Sequence, residues 1–167
     1  MTSTNLNRRA FLRGRSSKFD LGAIRPPWSI EISQFAERCT RCDECIKACP
    51  ENILFRGDGG YPEVNFQHGE CTFCSHCADA CQAKAFKAKH TNPKDAWQLD
   101  VSIKDSCLSL NAVVCRACGD SCPEGAIRFS LQVGGISSPE IDSETCTGCG
   151  ECLYVCPKNA VLVQNSN

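Results

Sequence analysis

Two stretches of the chain share one pattern of apolar runs and glycine-rich turns. Residues 52–66 and residues 126–142 each contain two short apolar runs separated by a turn with two or more glycines. Runs of this length around such a turn predict a β-hairpin in each stretch. A further apolar run at residues 97–103 predicts one more strand.

The first 18 residues differ in charge from the rest of the chain. They carry five basic residues and no acidic one, whereas the remaining chain carries 13 basic and 19 acidic residues. Residues 7–13 resemble a twin-arginine export signal, but the polar and charged residues 14–18 replace the apolar segment that such a signal needs. We therefore do not expect export, and the flexible basic arm is either a disordered tail or a docking element for a partner.

A short segment with two prolines follows the arm. Residues 24–28 read Ile-Arg-Pro-Pro-Trp, and the prolines favour an extended backbone. Trp28 could cover the folded body as a lid or form part of an interaction surface, and we favour the lid.

All 16 cysteines of the chain fall into four groups. Three groups have the spacing C-x2-C-x2-C-x3-C, whereas the third group has seven residues between its first two cysteines. A proline follows the last cysteine of every group except the second, where Gln82 stands. The groups are Cys39, Cys42, Cys45 and Cys49; Cys71, Cys74, Cys77 and Cys81; Cys107, Cys115, Cys118 and Cys122; and Cys146, Cys149, Cys152 and Cys156.

This spacing is that of the ligands of [4Fe-4S] clusters in bacterial ferredoxins. Three cysteines within seven residues can bind three corners of one cluster, and the fourth points away to the cluster of a partner group. The sequence therefore predicts four [4Fe-4S] clusters, with all sixteen cysteines as cofactor-binding and metal ligands. Zinc sites and disulfides are the alternatives. Zinc needs only four ligands per site, and disulfides need an oxidising compartment, so we favour iron–sulfur clusters.

The hairpins and cysteine groups together predict an α+β fold. We expect two tandem bacterial-type 2[4Fe-4S] ferredoxin-like modules with short β-hairpins and short helices, preceded by the flexible arm. The predicted domains are residues 1–30 for the arm and Pro-rich segment, 31–90 for the first module and 91–167 for the second. The polar residues 89–95 are the predicted linker.

Pairing of the groups decides which cysteines share a cluster. Tandem pairing joins groups one and two, and three and four; nested pairing joins one with four, and two with three. We favour tandem pairing because the two hairpins match and the gaps are short. The predicted sets are Cys39, Cys42, Cys45 and Cys81; Cys71, Cys74, Cys77 and Cys49; Cys107, Cys115, Cys118 and Cys156; and Cys146, Cys149, Cys152 and Cys122. The long gap after Cys107 predicts a looser third site.

Other function classes lack a signal in the sequence. The pI near 6.3 argues against a nucleic-acid-binding protein. The sequence contains no run of 18 apolar residues, so it predicts no membrane-spanning helix. No glycine-rich nucleotide loop or catalytic triad is present, so we do not expect an enzyme.

Several features together resemble the NapF family, the ferredoxin-type proteins of the periplasmic nitrate reductase operon. These features are the arm at residues 7–15, the segment 24–28, the stretch 59–66 after the first cysteine group, and the irregular third group. The resemblance covers nearly the whole chain, whereas the cysteine groups alone would fit any polyferredoxin.

The resemblance implies a cytoplasmic protein with four [4Fe-4S] clusters. It implies binding to the catalytic molybdenum subunit of periplasmic nitrate reductase in its immature form, and assistance with that subunit's redox or iron–sulfur assembly before export. The alternative is an electron-transfer polyferredoxin that relays single electrons between redox enzymes. A general ferredoxin without a dedicated partner would leave the arm and the proline segment without a purpose.

Overall fold

A computed structural model describes residues 19–89 and 91–166. The predictions for the basic arm at residues 1–18 lie outside the described residues. The helices are α1 (Ile32–Arg38), α2 (Glu44–Lys47), α3 (His76–Asp79), α4 (Ala117–Asp120) and α5 (Glu151–Tyr154), and the strands are β1 (Leu54–Arg56), β2 (Pro62–Val64), β3 (Leu99–Ile103), β4 (Ile127–Leu131), β5 (Ser137–Ile141) and β6 (Val161–Asn165).

The strands form three antiparallel pairs within the described residues. β1 pairs with β2, and β4 pairs with β5, so both predicted hairpins are present. The predicted strand before Cys107 is β3, and it pairs with the C-terminal strand β6, with Leu99 opposite Asn165 and Ile103 opposite Val161. Short helices and short antiparallel strands confirm the predicted α+β class.

Four of the helices are single turns that hold a cysteine. Helices α2 to α5 span four residues each, and each contains the third cysteine of its group and ends shortly before the fourth. A single turn forms too few hydrogen bonds to be stable alone. The surroundings of these turns, including whatever the cysteines bind, must therefore hold them in place.

The apolar core is unequal along the chain. The largest fully buried side chains are Trp28, Phe35, Ile53 and Pro26, and all of them belong to the first half of the fold. In the second half, the buried apolar side chains other than cysteine are alanines together with Ile127, Pro139 and Val161. The second half therefore has less apolar burial to stabilise it.

The segment with two prolines packs against the first half of the fold. Trp28 is fully buried, and its indole Nε1 donates to the carbonyl of Asn92 at 3.0 Å. The buried Arg25 stacks over Phe19, at 4.3 Å from the ring centroid, and lies 3.4 Å from a carboxylate oxygen of Glu63. Trp28 is thus the predicted lid.

The same segment also touches the second half of the fold. The backbone N–H of Trp28 donates to the carbonyl of Ala96, just after the predicted linker. The side-chain amide of Asn165 on β6 donates to the carbonyl of Gly22 at 3.1 Å. Residues 19–30 therefore contact both halves and help to fix their arrangement.

Candidate metal centre

Four cavities in the structure are each lined by four cysteines. The sets are Cys39, Cys42, Cys45 and Cys81; Cys49, Cys71, Cys74 and Cys77; Cys107, Cys115, Cys118 and Cys156; and Cys122, Cys146, Cys149 and Cys152. These are the four sets that tandem pairing predicts, in which the last cysteine of each group lies with the other three of its partner group. We call them the first, second, third and fourth cysteine sets, by the order of the groups that supply three members.

The donor chemistry of the sets fits an iron–sulfur cluster. Over residues 19–89 and 91–166, no three His, Cys, Asp or Glu side chains are arranged to hold one metal ion. The cysteines instead line the walls of cavities whose other residues are largely apolar, such as Val101 and Val163 at the fourth set. Four thiolates around one shaped cavity are the ligands that [4Fe-4S] clusters take.

Left-handed residues shape the three regular cysteine loops. In each loop, the residues directly before and directly after the second cysteine have positive φ. These pairs are Arg41 and Asp43, Phe73 and Ser75, and Gly148 and Gly150, with φ between 53° and 89°. Such residues turn successive backbone N–H groups toward one side of the loop and create an anion-binding concavity.

The N–H groups of these loops point at the cysteine sulfurs. The N–H of Arg41 bonds to the sulfur of Cys39, and the N–H of Phe73 bonds to that of Cys71. The N–H of Gly148 donates in the same way to Cys146. In all three cases the bond favours the thiolate and lowers the thiol pKa, although burial, the larger effect, raises it.

Burial disfavours ionisation of several of these thiols by raising their pKa. It raises the pKa of Cys45, Cys71, Cys77 and Cys152 to about 12, and that of Cys118 to about 11. The exposed Cys42 differs, because the N–H of Glu44 and the hydroxyl of Thr40 lower its pKa. A bound cation would supply the charge that makes thiolates stable at the buried positions.

A second left-handed residue recurs after each group. The residue three positions after the fourth cysteine has positive φ in every group: Asn52, Lys84, Gly125 and Asn159. The second group keeps this turn although Gln82 replaces the proline. The turn therefore follows from the repeated backbone plan and not from proline alone.

The third loop departs from the regular plan. Arg116, directly after the second cysteine of its group, has φ −135° where the other groups have left-handed residues. The longer segment before Cys115 is anchored, because Asn111 donates to the carbonyls of Asp105 and Cys107 at 2.7 and 2.8 Å. The extra residues form an ordered loop that ends in the exposed Val114.

Contacts between loops set the order of the four sets. Helix α2 of the first set contacts α3 of the second, so these two sets are neighbours, and α4 contacts α5 in the same way between the third and fourth. The N–H of Cys71 donates to the carbonyl of Cys149 at 2.7 Å, which joins the second and fourth. The sets follow one another as first, second, fourth and third.

A carboxyl pair lies at the same junction. A hydrogen bond with Glu70 is the largest of the causes that raise the pKa of Glu151 to about 7. Sequence reasoning missed this pair, since the two residues are far apart in the chain. It also missed the left-handed backbone of Arg41 and Phe73. The glycine at the matching position of the fourth group, Gly148, was the only signal for it.

Comparison with known proteins identifies the family. The model of the 4Fe-4S dicluster domain matches residues 38–85 and 113–160. The ferredoxin-type protein NapF of Escherichia coli K12 is 48% identical over 158 residues, which cover 95% of this chain and 94% of that protein. The NapF protein of Haemophilus influenzae is 46% identical over 174 residues, covering 99% and 97%. The chain belongs to the NapF family of ferredoxin-type proteins.

Membership in the NapF family confirms the resemblance drawn from the sequence. The two dicluster domains confirm that [4Fe-4S] clusters are the cofactors. The methylamine utilization ferredoxin-type protein MauM of Methylorubrum extorquens is more distantly similar, with 29% identity over 84% of this chain. Every helix in the described ranges falls short of the length and apolarity needed to cross a membrane.

Proposed function

We propose that each of the four cysteine sets holds one [4Fe-4S] cluster. The gathering of four thiols around each of four cavities supports this assignment. When bound, such a cluster supplies single-electron redox chemistry. The residues of the chain supply the thiolates, the backbone N–H groups that stabilise their charge, and apolar walls that keep water away.

We further propose that the chain is a cytoplasmic accessory protein without a catalytic centre of its own. It binds the immature catalytic molybdenum subunit of periplasmic nitrate reductase and assists that subunit's redox or iron–sulfur assembly before export. The observation that carries this proposal is the extent of the likeness to NapF, which covers 99% of the chain and so includes the basic arm as well as the cysteine groups.

An electron relay is the second candidate function. The contacts that order the four sets as first, second, fourth and third favour it, because a relay needs neighbouring sites along one path. A maturation factor needs a particular partner instead. The two functions therefore differ in which form of the reductase subunit the protein binds.

An anaerobic pull-down from cytoplasm tests the maturation role. The cluster-loaded full chain serves as bait, and the catalytic nitrate reductase subunit is probed as precursor and as mature protein. We expect capture of the precursor and weak or no capture of the mature form. A variant that lacks residues 1–18 and retains its iron tells whether the basic arm contributes to binding.

The opposite result would contradict the maturation role. Capture of the mature subunit alone, or of neither form by a bait with full iron and sulfide content, would favour the relay. Loss of capture in the variant without residues 1–18 would assign the docking role to the arm. Equal capture would remove that role and leave the folded body as the binding element.

The third set is expected to release its iron first. Its loop lacks the left-handed residue that follows the second cysteine in the other three loops, and seven residues separate its first two cysteines, so we expect this loop to hold its cluster least firmly. Under limiting chelator, we expect a fast phase of iron release that disappears in Cys118→Ala and persists in Cys45→Ala. A fast phase that survives Cys118→Ala would show that another site is the weak one.

A further inference from the structure

Trp97 contacts the loops of two different cysteine sets. Its ring packs against Phe73, which lies between Cys71 and Cys74 of the second set, with ring centroids 6.1 Å apart. Its indole Nε1 donates to the carbonyl of Thr147 at 3.0 Å, and Thr147 lies in the loop of the fourth set. Among the described residues, this side chain thus joins the two loops by a ring contact on one side and a hydrogen bond on the other.

The backbone of the fourth loop lies very close to the rings of Trp97 and Phe66. A Cβ at Gly148 would lie 2.7 Å from the indole Nε1 of Trp97, and a Cβ at Gly150 would overlap the ring of Phe66. Phe66 itself meets Trp97 edge to face, with ring centroids 5.7 Å apart. Both glycines also need their left-handed φ, so the contact is specific to a glycine-bearing loop.

The backbones of the two loops are joined directly beside Trp97. The N–H of Cys71 donates to the carbonyl of Cys149 at 2.7 Å. Leu99, two residues after Trp97, and Leu153 of α5 pack against the same core as Phe66. The junction is therefore a packed interface that carries ligand loops on both sides.

We propose that Trp97 is a positioning residue that holds the second and fourth cysteine sets side by side. It thereby joins the two pairs of sets into one row whose ends are the first and third sets. This inference rests on the proposed function, in which each set holds a cluster. A merely structural Trp97 would affect stability without changing how the two sites interact.

Two double cysteine variants of the full chain, used as backgrounds, each leave one pair of sites complete. Cys42→Ala with Cys115→Ala leaves the second and fourth sets complete, and Cys74→Ala with Cys149→Ala leaves the first and third. After reduction with dithionite, we expect a magnetic interaction between the two remaining sites, seen as splitting in the EPR spectrum, in the former background only. Splitting in neither background, with iron bound, would overturn the proposed row.

Substitution of Trp97 in the former background tests the positioning role. Trp97→Ala is expected to remove the splitting while the iron content stays unchanged. Trp97→Phe keeps a packed ring and is expected to retain it, and Leu162→Ala, a change at an exposed residue of β6, serves as the control. Unchanged splitting in Trp97→Ala would overturn the proposal. Cysteine backgrounds without any iron would overturn the ligand sets as well.

Hydrogen exchange gives a second readout that needs no cysteine substitution. In the holo-protein, Trp97→Ala is expected to speed exchange of the Cys71 amide by about tenfold or more, because the junction opens locally. The β1–β2 hairpin should keep its protection. Equal protection of Cys71 in the variant and in the unaltered chain would show that Trp97 does not hold the loops together.

Discussion

Removal of iron is expected to abolish the cooperative unfolding transition of the protein. The described helices other than α1 are single turns of four residues, and the longest strands span five. Neither a single turn nor an isolated two-stranded pair is stable in water. Because each turn contains the third cysteine of its group and ends shortly before the fourth, bonds from the cysteines to iron are what fixes it.

The loss of structure should be uneven along the chain. Trp28, Phe35 and Ile53 are buried in the first half, whereas Ile127 and Val161 are the largest buried aliphatic side chains of the second. We therefore expect residual compactness in the first half and full exposure of the second after anaerobic chelation. Hydrogen exchange resolved by peptide measures both halves in one experiment.

A cooperative thermal transition in the iron-free protein would contradict this expectation. The matched control is the holo-protein carried through the same procedure without chelator, which should keep its circular dichroism and its melting transition. Restoration of the transition by iron and sulfide under reducing conditions would show that the loss was not caused by damage to the thiols.

Much of the fold could be predicted from the local pattern of residues. The hairpins over 52–66 and 126–142 depend on neighbouring apolar runs and glycines, which are visible in any short window of the sequence. The cysteine spacing likewise encodes a local loop, because three thiols within seven residues can reach one cluster. Features of this kind need no knowledge of distant contacts.

Other features depend on contacts that no local pattern reveals. The pairing of β3 with β6 brings together residues more than fifty positions apart, and no hairpin turn connects the two strands. Trp97 was predicted only as the beginning of a strand, since its contacts with Phe73 and Thr147 arise from the packing of the two halves. The buried Arg25 depends in the same way on Glu63 and Phe19.

The backbone conformation of the cysteine loops could be predicted from local residue type only in part. Gly148 and Gly150 are residues that a left-handed backbone favours. Arg41 and Phe73 adopt the same conformation without such a preference. At these positions the structure of the whole loop outweighs the local propensity.

We propose that the last cysteine of each group serves the site of its partner group. Cys49 belongs in sequence with Cys42, but the structure places it with Cys74 at the second cavity. Each of these cysteines changed alone to alanine should remove one cluster. The double variants Cys49→Ala with Cys74→Ala and Cys49→Ala with Cys42→Ala should differ in the number of clusters lost, because only Cys49 and Cys74 share a site.

The decisive measurement is the number of intact [4Fe-4S] clusters per chain, counted by Mössbauer spectroscopy on the iron-57-enriched protein. We expect about three in Cys49→Ala, again about three in Cys49→Ala with Cys74→Ala, and about two in Cys49→Ala with Cys42→Ala. Loss of the same number of clusters in the two double variants would contradict the tandem sets. Loss of only one cluster in Cys49→Ala with Cys149→Ala would contradict them as well, because it would show that Cys49 and Cys149 share a site.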